Sequence, residues 1–364
     1  MNRLATPTNP VNATFWRGKR VVITGHTGFK GAWLALWLQR LGADVTGIAL
    51  APNTVPNLFE LARIERGMTS HFCDVRNAGN LAEVMLTASP EIVFHLAAQA
   101  LVHASYRDPL TTYATNVMGT ANLLEALRGV DGIKVAVMVT TDKVYHNNEG
   151  PYPYRETDAL GGRDPYSASK AASEIVIASY RDSYLRELAV AVATARAGNV
   201  VGGGDWSANR LIPDAVRAWQ AAKPLTIRHP LAVRPWQHVL EPLSGYLTLA
   251  QKLWQQPELA GAYNFGPHTQ QIATVREVIE QARSAFGRGE VVYDTTTTLH
   301  ETGWLTLETA KVRKTLSINP QWSLAETLQR TVAWYRACQV GTDARSLCDA
   351  DIAAYEVNIC AALR

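Results

Sequence analysis

Little in this chain suits it to a membrane, a metal ion or a nucleic acid. No apolar run approaches the roughly 18 residues that a membrane helix needs, and residues 1–15, MNRLATPTNPVNATF, lack the apolar core of a secretory signal. Its cysteines, Cys73, Cys338, Cys348 and Cys360, show neither a C-x-x-C pair nor a metal-like spacing. The expectation is reduced thiols, no metal site and a cytoplasmic protein. Charge of one sign is missing too: 35 Lys and Arg stand against 32 Asp and Glu. With no basic cluster interleaved with aromatics, no nucleic-acid partner is expected. What is present is 47% apolar and 18% charged residues over 364 positions. That suffices for one large α/β domain or a domain plus a lobe.

Hydrophobic periodicity sets out alternating elements. Strands are predicted at Lys19–Thr24, Asp44–Leu50, His71–Asp74, Ile92–Ala98, Val135–Thr141 and Ala189–Ala195. Helices are predicted at Ala32–Leu41, Leu58–Arg66, Leu81–Ala88, Thr112–Gly129 and Tyr166–Arg186. Strands alternating with helices mean a doubly wound parallel sheet of the Rossmann type. Beyond Gly198, stretches such as NVVGGGDW, KPLTIRHPLAVRPWQHV and NFGPHTQQ put Gly, Pro, Trp and His between short helices. They read as a smaller C-terminal substrate lobe over the carboxyl ends of the strands. The division expected is 15–198 plus about 236–266 for the dinucleotide domain and 199–235 plus about 267–335 for the lobe. Residues 336–364 are then a C-terminal helix or tail.

Within VVITGHTGFKGAWLALWL, Gly25, Gly28 and Gly31 lie between a predicted strand and a predicted helix. A dinucleotide needs glycine there for the tight turn, for backbone approach to the pyrophosphate and for close packing of helix on strand. The free N–H groups at the helix start then hold the phosphates. His26 and Lys30, inside the loop, either lie near the pyrophosphate or face solvent. About 20 residues further on, an acid usually holds the adenosine ribose of NAD; here no acid stands between Asp44 and Glu60. Asn53 or Thr54 is left as a neutral partner. Asp74 either reaches the adenine or caps the following helix.

Tyr166 and Lys170 in DPYSASKAASEIV are four apart, on one face of a helix. A nearby ammonium favours the phenolate and makes Tyr166 a candidate general base. The buried-strand pattern Val135–Val139 runs straight into Thr140, Thr141, Asp142 and Lys143. An acid and a base directly after such a strand are poor candidates for a surface ion pair.

The runs TGHTGFKG, HLAAQ, YATNVMGT, TTDKVY and YSASK resemble those of the extended short-chain dehydrogenase/reductases. Within that superfamily, RDPLTTYATNVMGT, TTDKVYHNNE, GGRDPYSASKAASE, ARAGNVVGGGDWSANRLIPD and RPWQHVLEPLSGYL are similar to runs of the sugar-nucleotide 4,6-dehydratases. The likeness spans residues 18–270, with a weaker tail from HETGWL onward. It implies a homodimeric, NAD-dependent hydro-lyase that makes a 4-keto-6-deoxy nucleotide sugar, a precursor of dideoxy sugars in surface polysaccharide such as the lipopolysaccharide O-antigen. The dTDP- and GDP-sugar dehydratases carry Asp-Glu where this chain has Asp142-Lys143; the lysine agrees with the branch whose substrate is CDP-glucose.

The resemblance also implies roles. Tyr166 takes the proton of the sugar's 4-hydroxyl, Thr141 bonds the same oxygen, and Lys170 holds the cofactor ribose. Asp142 is the acid for the departing 6-hydroxyl and Lys143 the base at carbon 5. Cofactor contacts are expected from Gly25, His26, Gly28, Phe29, Lys30 and Gly31, from Asp74 and Val75, and from Ala97, Ala98, Gln99 and Asn116, besides Tyr166 and Lys170. Substrate contacts are expected from Asn199, Arg210, Arg234 and His238, with Trp236 as pocket wall or core. Two other functions compete on the same fold: a nucleotide-sugar 4-epimerase, which needs no acid at 142, and a non-catalytic dinucleotide sensor, which needs no catalytic set.

Overall fold

The computed structural model describes residues 11–268, 272–294 and 303–362, with side chains through residue 357. The chain's opening residues, part of NFGPHTQQ and the start of HETGWL lie outside the described residues. Seven strands form one parallel sheet: β1 Arg20–Thr24, β2 Asp44–Ala49, β3 Thr69–Phe72, β4 Ile92–His95, β5 Val135–Val139, β6 Ala191–Ala197 and β7 Gly261–Phe265. Their order is β3-β2-β1-β4-β5-β6-β7, every neighbouring pair parallel. Because side chains alternate along a strand, Ile23, Phe94, Val137 and Ala193 enter one core and Val22, Val93, Ala136 and Val192 the other. Burial on both faces explains why these strands read as unbroken apolar runs.

The principal helices are α1 Phe29–Arg40, α2 Ala78–Ala88, α3 Gly119–Leu127, α4 Pro165–Tyr180, α5 Leu211–Gln220, α6 Leu240–Gln255, α7 Val275–Phe286, α8 Leu324–Gln339 and α9 Ala344–Ala362. Several boundaries differ from the sequence reading for local reasons. Helix α1 begins inside the glycine loop, with Gly28 as its N-cap. The expected helix over Leu58–Arg66 breaks at Arg63, whose φ of 49° is left-handed. The strand expected from Ala189 starts at Ala191, since Ala189 has φ 57° and cannot lie in a ladder. A wide turn, Ala114–Met118, interrupts Thr112–Gly129, and another, Arg181–Leu185, follows α4. Asn77, not Asp74, caps α2.

After β6 the chain builds a cap of short strand pairs: Val200–Val201 with Gln237–His238, Val233–Arg234 with Ala273–Thr274, and Leu225–Ile227 with Val291–Tyr293. The last two helices return to the sheet domain. Gly31–Leu38 of α1 are buried all round, as befits a helix covered on both sides. Trp37 donates to Glu356 on α9 at 3.0 Å, and Arg40 pairs with the same carboxylate.

Glu241 is the buried clasp of this corner. It accepts from the Gln321 and Trp322 N–H groups and, at 2.6 Å, from the Tyr355 hydroxyl. Burial outweighs these bonds and pushes its pKa up from 4.5 to about 7. The folded state therefore holds a proton that the unfolded chain has already lost. The corresponding stability is fully present below pH 4.5 and fades as pH rises through about 7. Glu241→Gln is expected to flatten the dependence of Tm on pH between these limits; an unchanged slope assigns it to other groups.

Candidate active site

A cleft of about 910 Å³ runs along the carboxyl ends of the strands. It lies at β1 and β4, where strand order reverses, the place at which doubly wound sheets bind ligands. At one end sits the glycine loop. Gly25 has φ 80°, and a Cβ there would lie 2.7 Å from the Ala97 nitrogen. A Cβ on Gly31 would lie 2.1 Å from the Gly25 oxygen. Helix α1 has no side-chain cap, so the N–H groups of its first turn are left for an anion. These residues fit the pyrophosphate of a dinucleotide. Phe29, Lys30, Asp74, Val75, Ala97, Ala98 and Gln99 line the cleft with them. Asn53 lines the rim after β2, while Asp74 is engaged with Arg76.

The middle of the cleft holds Thr141, Asp142, Lys143, Tyr166 and Lys170. Sheet bonding ends with the Thr140 N–H on Ala195 O, and Thr141 then caps a single 3₁₀ turn, Asp142–Val144. Asp142 is fully buried. Its Oδ1 accepts from Thr141 at 3.0 Å and from the Lys143 ammonium at 3.3 Å. Its Oδ2 has no partner among the described residues. Gly198 leaves that oxygen room, since a Cβ there would stand 3.0 Å from it. A buried carboxyl oxygen without a partner beside a cleft is a polar position that calls for an explanation.

Tyr166 and Lys170 share a face of α4. The Lys170 ammonium donates to Val139 O at 3.1 Å, and burial lowers its pKa to about 8 against the opposing pull of Glu174. The expectation of a favoured phenolate is not met: burial lifts Tyr166 to about 12, opposed by a hydrogen bond with Thr141. Beneath the pair, Glu174 receives both Thr140 and Thr194 hydroxyls and a two-pronged bond from Arg196. Arg196 continues to the Tyr145 hydroxyl, which donates to Asn264. This network was not evident from the sequence, because its members come from α4, β6, β7 and the turn after β5.

Asn116 sits in the wide turn before α3 and acts as a strut. Its amide donates to Ser169 on α4 at 2.8 Å and its oxygen receives the Gln99 N–H. Lys30 lies closer to the chemistry than to solvent: its ammonium reaches the Tyr246 hydroxyl at 3.5 Å, and burial, with Arg210 nearby, brings its pKa down to about 7. Asn199, Arg210, Arg234 and Trp236 also line the cleft. Arg210 pairs with Asp205 at 2.9 Å, and Asn199 Oδ1 is buried without a partner among the described residues.

Two expected contacts are corrected. The His26 ring is wholly buried against Phe59 and bonds Ser70 at 2.7 Å, outside the cleft lining; desolvation lowers its pKa to about 4. His238 is packed between Trp33 and Trp322, accepts the Leu240 N–H, and is lowered to about 3 by burial. Both are core imidazoles. Conversely, His103 and Arg228 line the cleft and bond each other at 3.2 Å; the sequence signal was only an arginine in a Pro-rich loop.

Comparison with known proteins agrees with this geometry. Residues 21–293 match the NAD dependent epimerase/dehydratase family. The chain is 44% identical over 340 residues to a CDP-glucose 4,6-dehydratase of Salmonella typhimurium, covering 92% of this chain and 95% of the relative. A solved dTDP-glucose 4,6-dehydratase of Streptomyces venezuelae, the DesIV double mutant with NAD and DAU bound, superposes with a TM-score of 0.74 at 25% identity, covering 87% and 96% of the two chains. A Thermotoga maritima UDP-glucose 4-epimerase shares the fold at a TM-score of 0.76 and 22% identity, over 88% and 99%. With glycine cradle, sheet order and matched span in agreement, the chain belongs to the NAD dependent epimerase/dehydratase family.

Proposed function

We propose that this chain converts CDP-glucose to CDP-4-dehydro-6-deoxyglucose, with NAD as a recycled cofactor. The observation that carries the reading is Asp142, a fully buried carboxyl in the cleft with one oxygen free of partners among the described residues. A 4-epimerase has no use for an acid there, and a sensor none for the set around it. Cytosine as the base is supported by the likeness to the Salmonella relative. NAD falls to residues 15–198 plus about 236–266, and the nucleotide sugar to 199–235 plus about 267–335.

When bound, NAD⁺ supplies the acceptor for a hydride from carbon 4 and later gives it back to carbon 6. Tyr166 takes the proton of the 4-hydroxyl while Thr141 bonds the same oxygen. Burial holds the phenol at about 12, and the groups that favour its deprotonation are the Thr141 hydroxyl and the Arg210 guanidinium. The new ketone acidifies carbon 5. Lys143 removes that proton, and Asp142 protonates the 6-hydroxyl, which leaves as water. Lys143 then returns its proton to carbon 5. The 6-hydroxyl leaves with the proton of Asp142, and the proton that Tyr166 took from the 4-hydroxyl passes by way of Thr141, which bonds both residues, to restore Asp142, so the net loss is one water.

The test is incubation of the purified protein with NAD⁺ and, separately, CDP-, dTDP-, GDP- and UDP-linked sugars, read by the base-induced absorbance of a 4-keto-6-deoxy product. Signal from CDP-glucose is expected. Signal from another nucleotide keeps the chemistry and discards the substrate; silence from all, with NAD⁺ bound, discards both. In deuterated water, Lys143→Met is expected to abolish exchange at carbon 5 while oxidation at carbon 4 continues. Persistent exchange gives the proton to another base.

A homodimer is part of this reading. Leu110, Met118 and Ile175, on the helical segments that flank the active site, are 81%, 56% and 61% exposed, more apolar surface than a monomer needs there. The cytoplasm is the compartment we assign, as the described cysteines are unpaired. Among the described residues, no helix is long and apolar enough to cross a membrane.

A further inference from the structure

With the glycine cradle taken by the cofactor, a nucleotide sugar whose hexose reaches Asp142 is left the rest of the cleft wall, which includes Arg228, His229 and Arg234. Arg210 is engaged with Asp205 and acts on Tyr166 from close by. Arg228 is placed differently. It follows the strand Leu225–Ile227, which is anchored by Val291–Tyr293 and by the Asp294 N–H on Ile227 O at 2.8 Å. The turn beyond is pinned by the Ala232 N–H on His229 O and the Arg276 N–H on Pro230 O.

The Arg228 guanidinium is also held from the sheet side. Its Nη2 lies 3.2 Å from Nε2 of His103, on the short helix Val102–Arg107. A guanidinium only donates, so His103 accepts at Nε2 and carries its proton on Nδ1. Next to it, His229 Nε2 is buried without a partner among the described residues. This part of the cleft thus presents an oriented two-pronged donor and an unfilled polar position.

We propose that Arg228 selects the base of the substrate, donating its parallel N–H groups to the adjacent O2 and N3 acceptors of a cytosine ring, with His103 as its positioning residue. The proposal rests on the nucleotide-sugar reading above. O2 and N3 of cytosine stand side by side much as the two oxygens of a carboxylate do, the pattern a guanidinium fork matches. Uracil and thymine keep O2 but carry N3–H, which sets donor against donor and leaves a buried N–H opposed. A lysine at this position attracts the diphosphate of every nucleotide alike but cannot make the paired contact. Discrimination of this kind on a base edge amounts to about 10- to 100-fold.

The experiment uses the full chain, its Arg228→Lys and Arg228→Met variants and His103→Phe, each checked for NAD⁺ binding as evidence of folding. Two quantities are read: kcat/KM for CDP-, UDP- and dTDP-glucose, and inhibition by CMP and by UMP. Arg228→Lys is expected to lower kcat/KM for CDP-glucose about 10- to 100-fold, through KM, and to weaken CMP by the same factor. UMP should hardly change, so the cytosine preference collapses. Arg228→Met should lose the same preference, and His103→Phe part of it. Retention of the preference by Arg228→Lys overturns the proposal, as does equal weakening of CMP and UMP, which makes Arg228 a phosphate contact. A wild type that prefers UDP- or dTDP-glucose overturns it as well. A wild type inactive on every nucleotide sugar defeats the dehydratase reading instead, and the CMP and UMP arms still decide the role of Arg228.

Discussion

Asp142→Asn is expected to slow the loss of water by about 10²- to 10⁴-fold, the usual worth of a positioned general acid, while oxidation at carbon 4 continues. The asymmetry follows from where the side chain is anchored. Oδ1 is occupied by Thr141 and Lys143, and an asparagine oxygen can take over both bonds. Oδ2 is the atom left over, and its replacement by an amide removes the proton that the 6-hydroxyl needs. The 4-keto form should accumulate in a single turnover, seen as the near-ultraviolet band of reduced nicotinamide appearing and persisting. Dehydration at the wild-type rate would take the acid's role away from Asp142.

Glu174→Ala should destabilise the protein by roughly 3–5 kcal/mol, the cost of leaving one partner of a buried ion pair alone. Glu174 and Arg196 are each 4% exposed. The charge has a second effect through Lys170, whose pKa of about 8 Glu174 holds up against desolvation. Without the carboxylate that pKa falls further. Since the ammonium is lost as pH rises through its pKa, the alkaline limb of the rate profile should move to lower pH. A double variant, Glu174→Leu with Arg196→Met, separates the effects: two apolar groups in place of the pair can recover much of the stability, but they cannot restore the field at Lys170. Recovery of Tm with an unshifted alkaline limb would confine Glu174 to folding.

The sequence made the sheet legible because each strand is buried on both faces, and the glycine triplet was readable because turn, cradle and helix start all demand glycine. Local patterns failed where the partner is remote. His26 and His238 look like site residues in a linear reading, yet rings from Phe59, Trp33 and Trp322 close over them. Arg228 looked like loop, since nothing near it in the chain announces His103, 125 residues away. Tyr166 was expected to ionise readily from its spacing to Lys170; burial instead lifts it, against a hydrogen bond with Thr141, and that is set by packing and cannot be read from spacing.

The ending of β5 bears on how such proteins diverge. Ladder hydrogen bonding is complete at Thr140, and the three residues that follow are held by a side-chain cap and one tight turn. The side chains at 142 and 143 can therefore change without touching a strand register. One scaffold can thus carry both the inversion of a carbinol and the expulsion of water, the two chemistries that the description of the family joins.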